Sequence, residues 1–271
     1  MRLAVWPAAP ARALGRALAA ATGADGQPLV TAVVEAEPHA VRALLADGRV
    51  DLALVTTLDA LRAYDGFAFV PRVALAGEAS PRRAIVATAA LDAIETVGFD
   101  PRDTQEALLA QLVLREGYGL APQFALADLG EGLPALLARH GAVLAPVEAD
   151  VPDGAYRLDL GREWTDLTLR PMPWGLVAAR ADELAPEAAR ALADAAATAD
   201  VEADDALVAD GAVAYQFTLN GYAFDGLVEL ADHLFATGTL TEIPNLPFVD
   251  DAMEDEDDPP AGLAEGDGAP L

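Results

Sequence analysis

Residues 44–58 read LLADGRVDLALVTTL, and the fold class is decided there. Leu44 and Leu45 end a helical pattern that starts at Pro38, and Gly48 stands where that helix should stop. Val50–Val55 is a short β-rich run. Thr56 and Thr57 follow it and lead into a second helical stretch, Leu58–Tyr64, with Gly66 beyond. Upstream the rhythm is the same: a strand at Leu3–Trp6, a helix at Ala11–Ala21 stopped by Gly23, and a strand at Leu29–Val34. Downstream a strand is expected at Ile85–Ala87. Strand alternating with helix implies a mostly parallel sheet with helices on its faces, an α/β fold.

A second unit follows. Thr96–Phe99 reads as a strand and Thr104–Glu116 as a helix with Leu108, Leu109, Leu112 and Val113 along one face. Leu133–His140 is a helix stopped by Gly141, and Ala142–Ala145 a strand. Met172–Ala179 reads as a buried strand and Pro186–Ala197 as a helix. Tyr215–Leu219 and the helix Phe224–Thr237 close the folded part. From Asp250 the composition turns to an acidic run, then Pro259, Pro260 and a Gly/Ala/Pro-rich end, which buries too little apolar surface to offset its ordering entropy; residues 250–271 are expected to be disordered.

Composition narrows the function. The 271 residues carry 44 acids against 17 basic side chains, a formal charge of −27. Such a field repels phosphate backbones and anionic lipid, so neither nucleic acid nor membrane is expected as a partner. Every basic residue is arginine. A GC-rich genome accounts for the missing lysine, and a cytosol kept salty accounts for the acid excess as well. Cysteine is absent, and His39, His140 and His233 are far apart, so no zinc site or other metal is expected. No apolar run of about 18 residues suggests a membrane span. Pro7, Pro10, Arg12 and Arg16 argue against a signal peptide, which places the protein in the cytoplasm. No G-x-G-x-x-G or Walker-type loop occurs, against a nucleotide enzyme.

Three stretches together resemble the chorismate dehydratase family of the futalosine route to menaquinone, part of the two-lobed periplasmic-binding-protein-like (type 2) superfamily. They are residues 44–58, residues 97–119 (VGFDPRDTQEALLAQLVLREGYG) and residues 156–180 (YRLDLGREWTDLTLRPMPWGLVAAR). In the last, Asp159-Leu160-Gly161, Trp164, Thr168 and Pro171 keep the family's order and spacing; Tyr215 to Phe248 fits its closing helix. The resemblance implies two α/β lobes, the second inserted into the first: residues 1–84 with 174–249, and residues 85–173. It implies a cofactor-free carbon–oxygen lyase that removes water from chorismate to give 3-[(1-carboxyvinyl)oxy]benzoate. A non-catalytic protein of the same fold that binds a small carboxylate is the alternative.

The chain departs from the family at three places. Trp6-Pro7-Ala8-Ala9 stands for Tyr-Leu-Asn and a proline. Gln105-Glu106 stands for a Thr-Ser pair, and Val147-Glu148 for Gly-Asp. By the resemblance Glu106 and Glu148 are the candidate catalytic carboxylates, and Glu106, at a helix start, should have its charged form stabilised by the helix dipole. Thr56, Thr57, Ser80, Arg83 and Gln105 are the candidate substrate contacts. Thr56 and Thr57 end a strand where α/β sheets present ligands, though capping the next helix is an equally good use of a hydroxyl there. Arg82 and Arg83 supply the positive charge that a dicarboxylate needs. Alternation along a strand should turn one of them to the cleft, and the resemblance selects Arg83. Trp164 and Trp174 read as core residues and the histidines as structural or exposed.

Overall fold

The computed structural model describes residues 1–210 and 215–249, with the side chains of 201–210 not among them; the acidic C-terminal stretch lies outside the described residues. The chain forms β1 (Arg2–Val5), α1 (Ala9–Ala19), β2 (Ala32–Glu35), α2 (Pro38–Ala46), β3 (Leu52–Thr56), α3 (Thr57–Arg62) and β4 (Phe67–Gly77). Next come β5 (Arg83–Ala87), β6 (Thr96–Phe99), α4 (Thr104–Tyr118), β7 (Gln123–Leu126), α5 (Leu133–His140), β8 (Gly141–Pro146), β9 (Tyr156–Asp159) and α6 (Leu160–Thr168). The chain closes with β10 (Met172–Arg180), α7 (Pro186–Asp210), β11 (Tyr215–Thr218) and α8 (Gly221–Ala236).

Two sheets result. The first runs β11-β4-β10-β3-β1-β2, the second β7-β6-β8-β5-β9, so all five strands of the second are inserted between β4 and β10 of the first. Parallel pairing holds for β1 with β2 and β3, and for β6 with β7 and β8. The expectation of a mostly parallel sheet is corrected at β10, which runs antiparallel to both β3 and β4, while β11 is antiparallel to β4. The physical cause is the return of the chain from the second lobe: β10 re-enters the first sheet from the side at which β4 left it.

Strand β4 is absent from the sequence reading. It carries Pro71, a residue that normally demotes a strand, and the chain tolerates it by a bulge. Register with β10 shifts between Leu176/Ala178, opposite Phe69 to Ala74, and Arg72 takes φ 58° within that irregularity. The buried apolar residues of both lobes merge into one cluster that includes Leu75, Ile85, Val97, Leu109, Leu112, Trp164 and Leu230. A smaller cluster of Val86, Leu136, Leu137 and Val143 lies beneath α5.

The Asp159-Leu160-Gly161 motif fastens the crossover segment between lobes. The Asp159 carboxylate accepts the Gly161 and Arg162 N–H groups, capping α6, and also the Ser80 N–H at 2.9 Å. Gly161 packs so closely on Ala79 that a Cβ would sit 2.5 Å from its backbone carbon. Trp164 and Trp174 are fully buried, as a core reading expects. Among the described residues no helix is long and apolar enough to cross a membrane.

Candidate functional site

Among the described residues, the buried polar and charged residues include Thr56, Thr57, Ser80, Arg82, Asp100, Asp103, Gln105 and Glu106. They come from three short segments that meet where the lobes face each other: the end of β3, the crossover before β5, and the loop into α4. Burying so many polar groups together is costly unless they pair or serve a ligand.

Their pairing is specific. Arg82 donates from Nη1 to Glu106 Oε1 at 2.8 Å and from Nη2 to Asp103 Oδ1 at 2.9 Å. Arg83 donates from Nε to the other Asp103 oxygen at 2.6 Å. Arg82 Nη2 also lies 3.9 Å from Glu37 Oε2 on the opposite lobe. Arg102, bidentate to Asp100 at 2.8 and 2.6 Å, holds that carboxyl down at about 2. Glu106 behaves in the opposite way. Burial raises its carboxyl above the ordinary glutamate range, with Asp103 pushing the same way and Arg82 opposing. The start of α4 still favours the charged form, but Glu106 is only 2% exposed and desolvation outweighs that effect, which the sequence alone does not show.

Part of this cluster opens onto a cleft of about 560 Å³ between the lobes, in the size range of small-molecule sites. Thr56, Leu58, Arg82, Gln105 and Glu106 line its depth; His39 and Arg42 of α2, Arg62 of α3 and Arg102 form the exposed rim. Four arginines and three acids, Asp47, Asp59 and Glu106, line the cleft, in a protein whose overall charge is −27. Arg82 and Arg102 are already paired with buried acids, Asp103 and Glu106 for the first and Asp100 for the second, so an anion in the cleft meets the exposed Arg42 and Arg62 and competes for Arg82. A second cavity of about 210 Å³, between α8 and Ile243–Leu246, is mostly apolar, with Arg72 and Asn245 among its lining.

The sequence candidates separate into those the cleft uses and those the scaffold uses. Thr56, Gln105 and Glu106 line the cleft. Thr56 also caps α3 by accepting the Asp59 N–H at 3.0 Å. Gln105 has both amide ends committed: Oε1 accepts the Leu58 N–H at 2.9 Å, and Nε2 donates to the Trp174 carbonyl at 2.8 Å, joining α4 to the other lobe. Thr57 donates to the Pro173 carbonyl at 2.6 Å, and Ser80 Oγ accepts the Arg83 N–H at 3.3 Å; neither lines the cleft. Glu148 is exposed and stands outside it; its charge adds only a minor push to Arg12, raised chiefly by its hydrogen bond to Glu35, and to Tyr215, raised chiefly by burial. Of the adjacent arginines, Arg82 lines the cleft and Arg83, the one the resemblance selects, does not; both bond to Asp103. His39, read as structural or exposed, is exposed but sits on the rim. The rim arginines Arg42, Arg62 and Arg102 were missed, because each is an ordinary helix or loop arginine until the fold brings it to the cleft. Among the described residues no group of three His, Asp or Glu could hold a metal.

Fold and site together define a two-lobed α/β protein of the periplasmic-binding-protein type with an anion-suited interlobe cleft. The solved structures agree on the fold. The chain is similar to protein AF1704 from Archaeoglobus fulgidus, with 18% identity and a TM-score of 0.61, over 88% of this chain and 98% of that one. It is also similar to an ABC transporter protein from Parabacteroides distasonis, with 15% identity and a TM-score of 0.62, over 93% and 99%. A third is the alkanesulfonate-binding protein SsuA from Xanthomonas axonopodis pv. citri, bound to MOPS, with 16% identity and a TM-score of 0.56, over 90% and 94%. No curated protein matches the sequence. The chain belongs to the menaquinone biosynthesis family, whose model matches residues 1–220.

Proposed function

We propose that the protein is a cytoplasmic, cofactor-free carbon–oxygen lyase of the futalosine route, removing water from chorismate to give 3-[(1-carboxyvinyl)oxy]benzoate. Family membership supports a place in menaquinone biosynthesis, and the observation that carries the substrate class is the arginine-lined cleft in a strongly acidic chain. Chorismate is a dicarboxylate. One carboxylate meets Arg82 on the floor and the other the rim arginines, with Thr56 offering a hydroxyl at the end of β3. Aromatisation of the ring supplies driving force, so the protein needs to orient the substrate, exclude water and move protons. Glu106 is the acid–base group available on the floor; Glu148 is retained as a second candidate only if lobe closure carries it inward.

The test is incubation of the full chain with chorismate. Conversion to an aromatic product lighter by one water supports the lyase. Binding of chorismate with its quantitative recovery would instead favour a non-catalytic carboxylate-binding protein of the same fold.

A further inference from the structure

We infer that Glu106 is the proton donor to the departing hydroxyl, and that the anionic ligand itself loads it: occupation of the cleft draws a proton onto Glu106. The inference rests on the cleft being the substrate site.

The geometry is that of a balanced cluster with one vulnerable member. Two buried acids, Asp103 and Glu106, are held by two arginines. Asp103 is bonded to both Arg82 and Arg83, so it keeps one partner if the other is drawn away. Glu106 is bonded to Arg82, and Arg82 is the arginine that lines the cleft floor. A dicarboxylate that competes for Arg82 weakens the contact on which the charged form of Glu106 depends. It also sets negative charge beside a carboxyl that burial already favours in the neutral form. A neutral carboxylic acid removes the repulsion and offers the ligand an O–H donor.

Other charges face Glu106. On its own side of the cleft these are Arg82 and Arg83 of the crossover, Asp103 and Arg102, while Glu37 of the opposite lobe lies 3.9 Å from Arg82 and favours protonation by drawing on the same arginine. Across the cleft, Arg42 and Arg62 oppose protonation, but both are exposed and their effect is screened by solvent. Asp47 and Asp59 favour it. His39 is a rival acceptor of the same proton, and the test must separate the two.

The chemical step balances. The C–H bonding pair becomes part of the aromatic ring, and its proton passes to solvent water. The neighbouring C–O bond breaks with its pair on oxygen, which takes the Glu106 proton and leaves as water. The Glu106 carboxylate that remains pairs again with Arg82 and is reloaded when the next anion binds.

The experiment is calorimetric titration of the full chain with isophthalate, an aromatic dicarboxylate that cannot eliminate water. It is run at one neutral pH in Tris and in bis-Tris, cationic buffers of different ionisation enthalpy that do not compete for an anion site. The expected result is a buffer-dependent heat corresponding to an uptake of about one proton per site. Glu106→Gln should bind with the same heat in both buffers, whereas His39→Gln should keep the buffer dependence. Equal heats for the parent, or loss of the dependence in His39→Gln instead, would overturn the inference while leaving the binding site in place. Failure of isophthalate and chorismate alike to bind would overturn the site assignment, and the inference with it.

Discussion

The first turn of α4 and the turns that follow it both face the opposite lobe, but they meet it differently. Beyond the first turn, Leu108, Leu109 and Leu112 pack against Leu58, Met172, Leu230 and Leu234, and the gap left between them is about 10 Å³, no larger than one water needs. At the first turn, Gln105, Glu106 and the preceding Asp103 are just as buried, yet they are polar: Gln105 pairs across to backbone, and the two acids pair with Arg82 of the crossover. The leucine contact holds the lobes by area removed from water, which is non-directional and indifferent to a ligand. The first turn adds directed bonds: those of Gln105 cross to the other lobe, and those of Asp103 and Glu106 to Arg82 of the crossover are the ones a competing anion can take. A permanent seam between the lobes therefore lies beside an exchangeable one at the crossover.

Truncation in the permanent seam should have the largest effect on the fold. Leu112→Ala removes a side chain only 3% exposed and should cost about 2–5 kcal/mol of stability, the range for buried leucines. Urea unfolding measures it, alongside the affinity of the folded fraction for isophthalate, which should stay near that of the parent. A large loss of affinity with little loss of stability would mean that the two seams are not separable.

The smallest effect is expected at the cleft's edge. Asp100 has its carboxyl lowered to about 2 chiefly by the hydrogen bond from Arg102. A depressed carboxyl contributes stability above the ordinary aspartate range and loses it as pH falls through the folded value. The Arg102 side chain is 63% exposed, so solvent screening limits the contribution to about 1 kcal/mol or less. Acid titration of thermal stability should show Asp100→Asn losing less than the parent as pH falls toward 2. Parallel curves for the two proteins would remove the Arg102 bond from the account.

How much of this could be read beforehand differs between the seams in the same way. The leucine face of α4 follows from its three- and four-residue spacing, and so did the helix itself. The family resemblance placed Thr56, Gln105 and Glu106 near the ligand. Local sequence could not show that Gln105 spends its amide on the Leu58 N–H and the Trp174 carbonyl, since those partners are 47 and 69 residues away. Nor could it separate Arg82 from Arg83. Strand alternation requires only that neighbours differ, whereas the outcome depends on Asp103 reaching back to both. Glu106 was misjudged for a similar reason: a helix start is visible in the sequence, and the burial that outweighs it is not. Strand β4 escaped because its bulge at Pro71–Arg72 breaks the pattern on which strand reading relies.

The central claim is that Arg82, on the exchangeable seam, is the arginine that holds the ligand. Titration of the parent, Arg82→Gln and Arg83→Gln with chorismate, each first shown to be folded by its near-ultraviolet circular dichroism, tests it directly. A charge-assisted pair of about 1.5–3 kcal/mol corresponds to about 10- to 150-fold in affinity. Arg82→Gln should lose binding by that factor, and Arg83→Gln, whose partner Asp103 keeps Arg82, should lose much less. A folded Arg82→Gln protein that binds chorismate as tightly as the parent, or a loss confined to Arg83→Gln, would contradict the account.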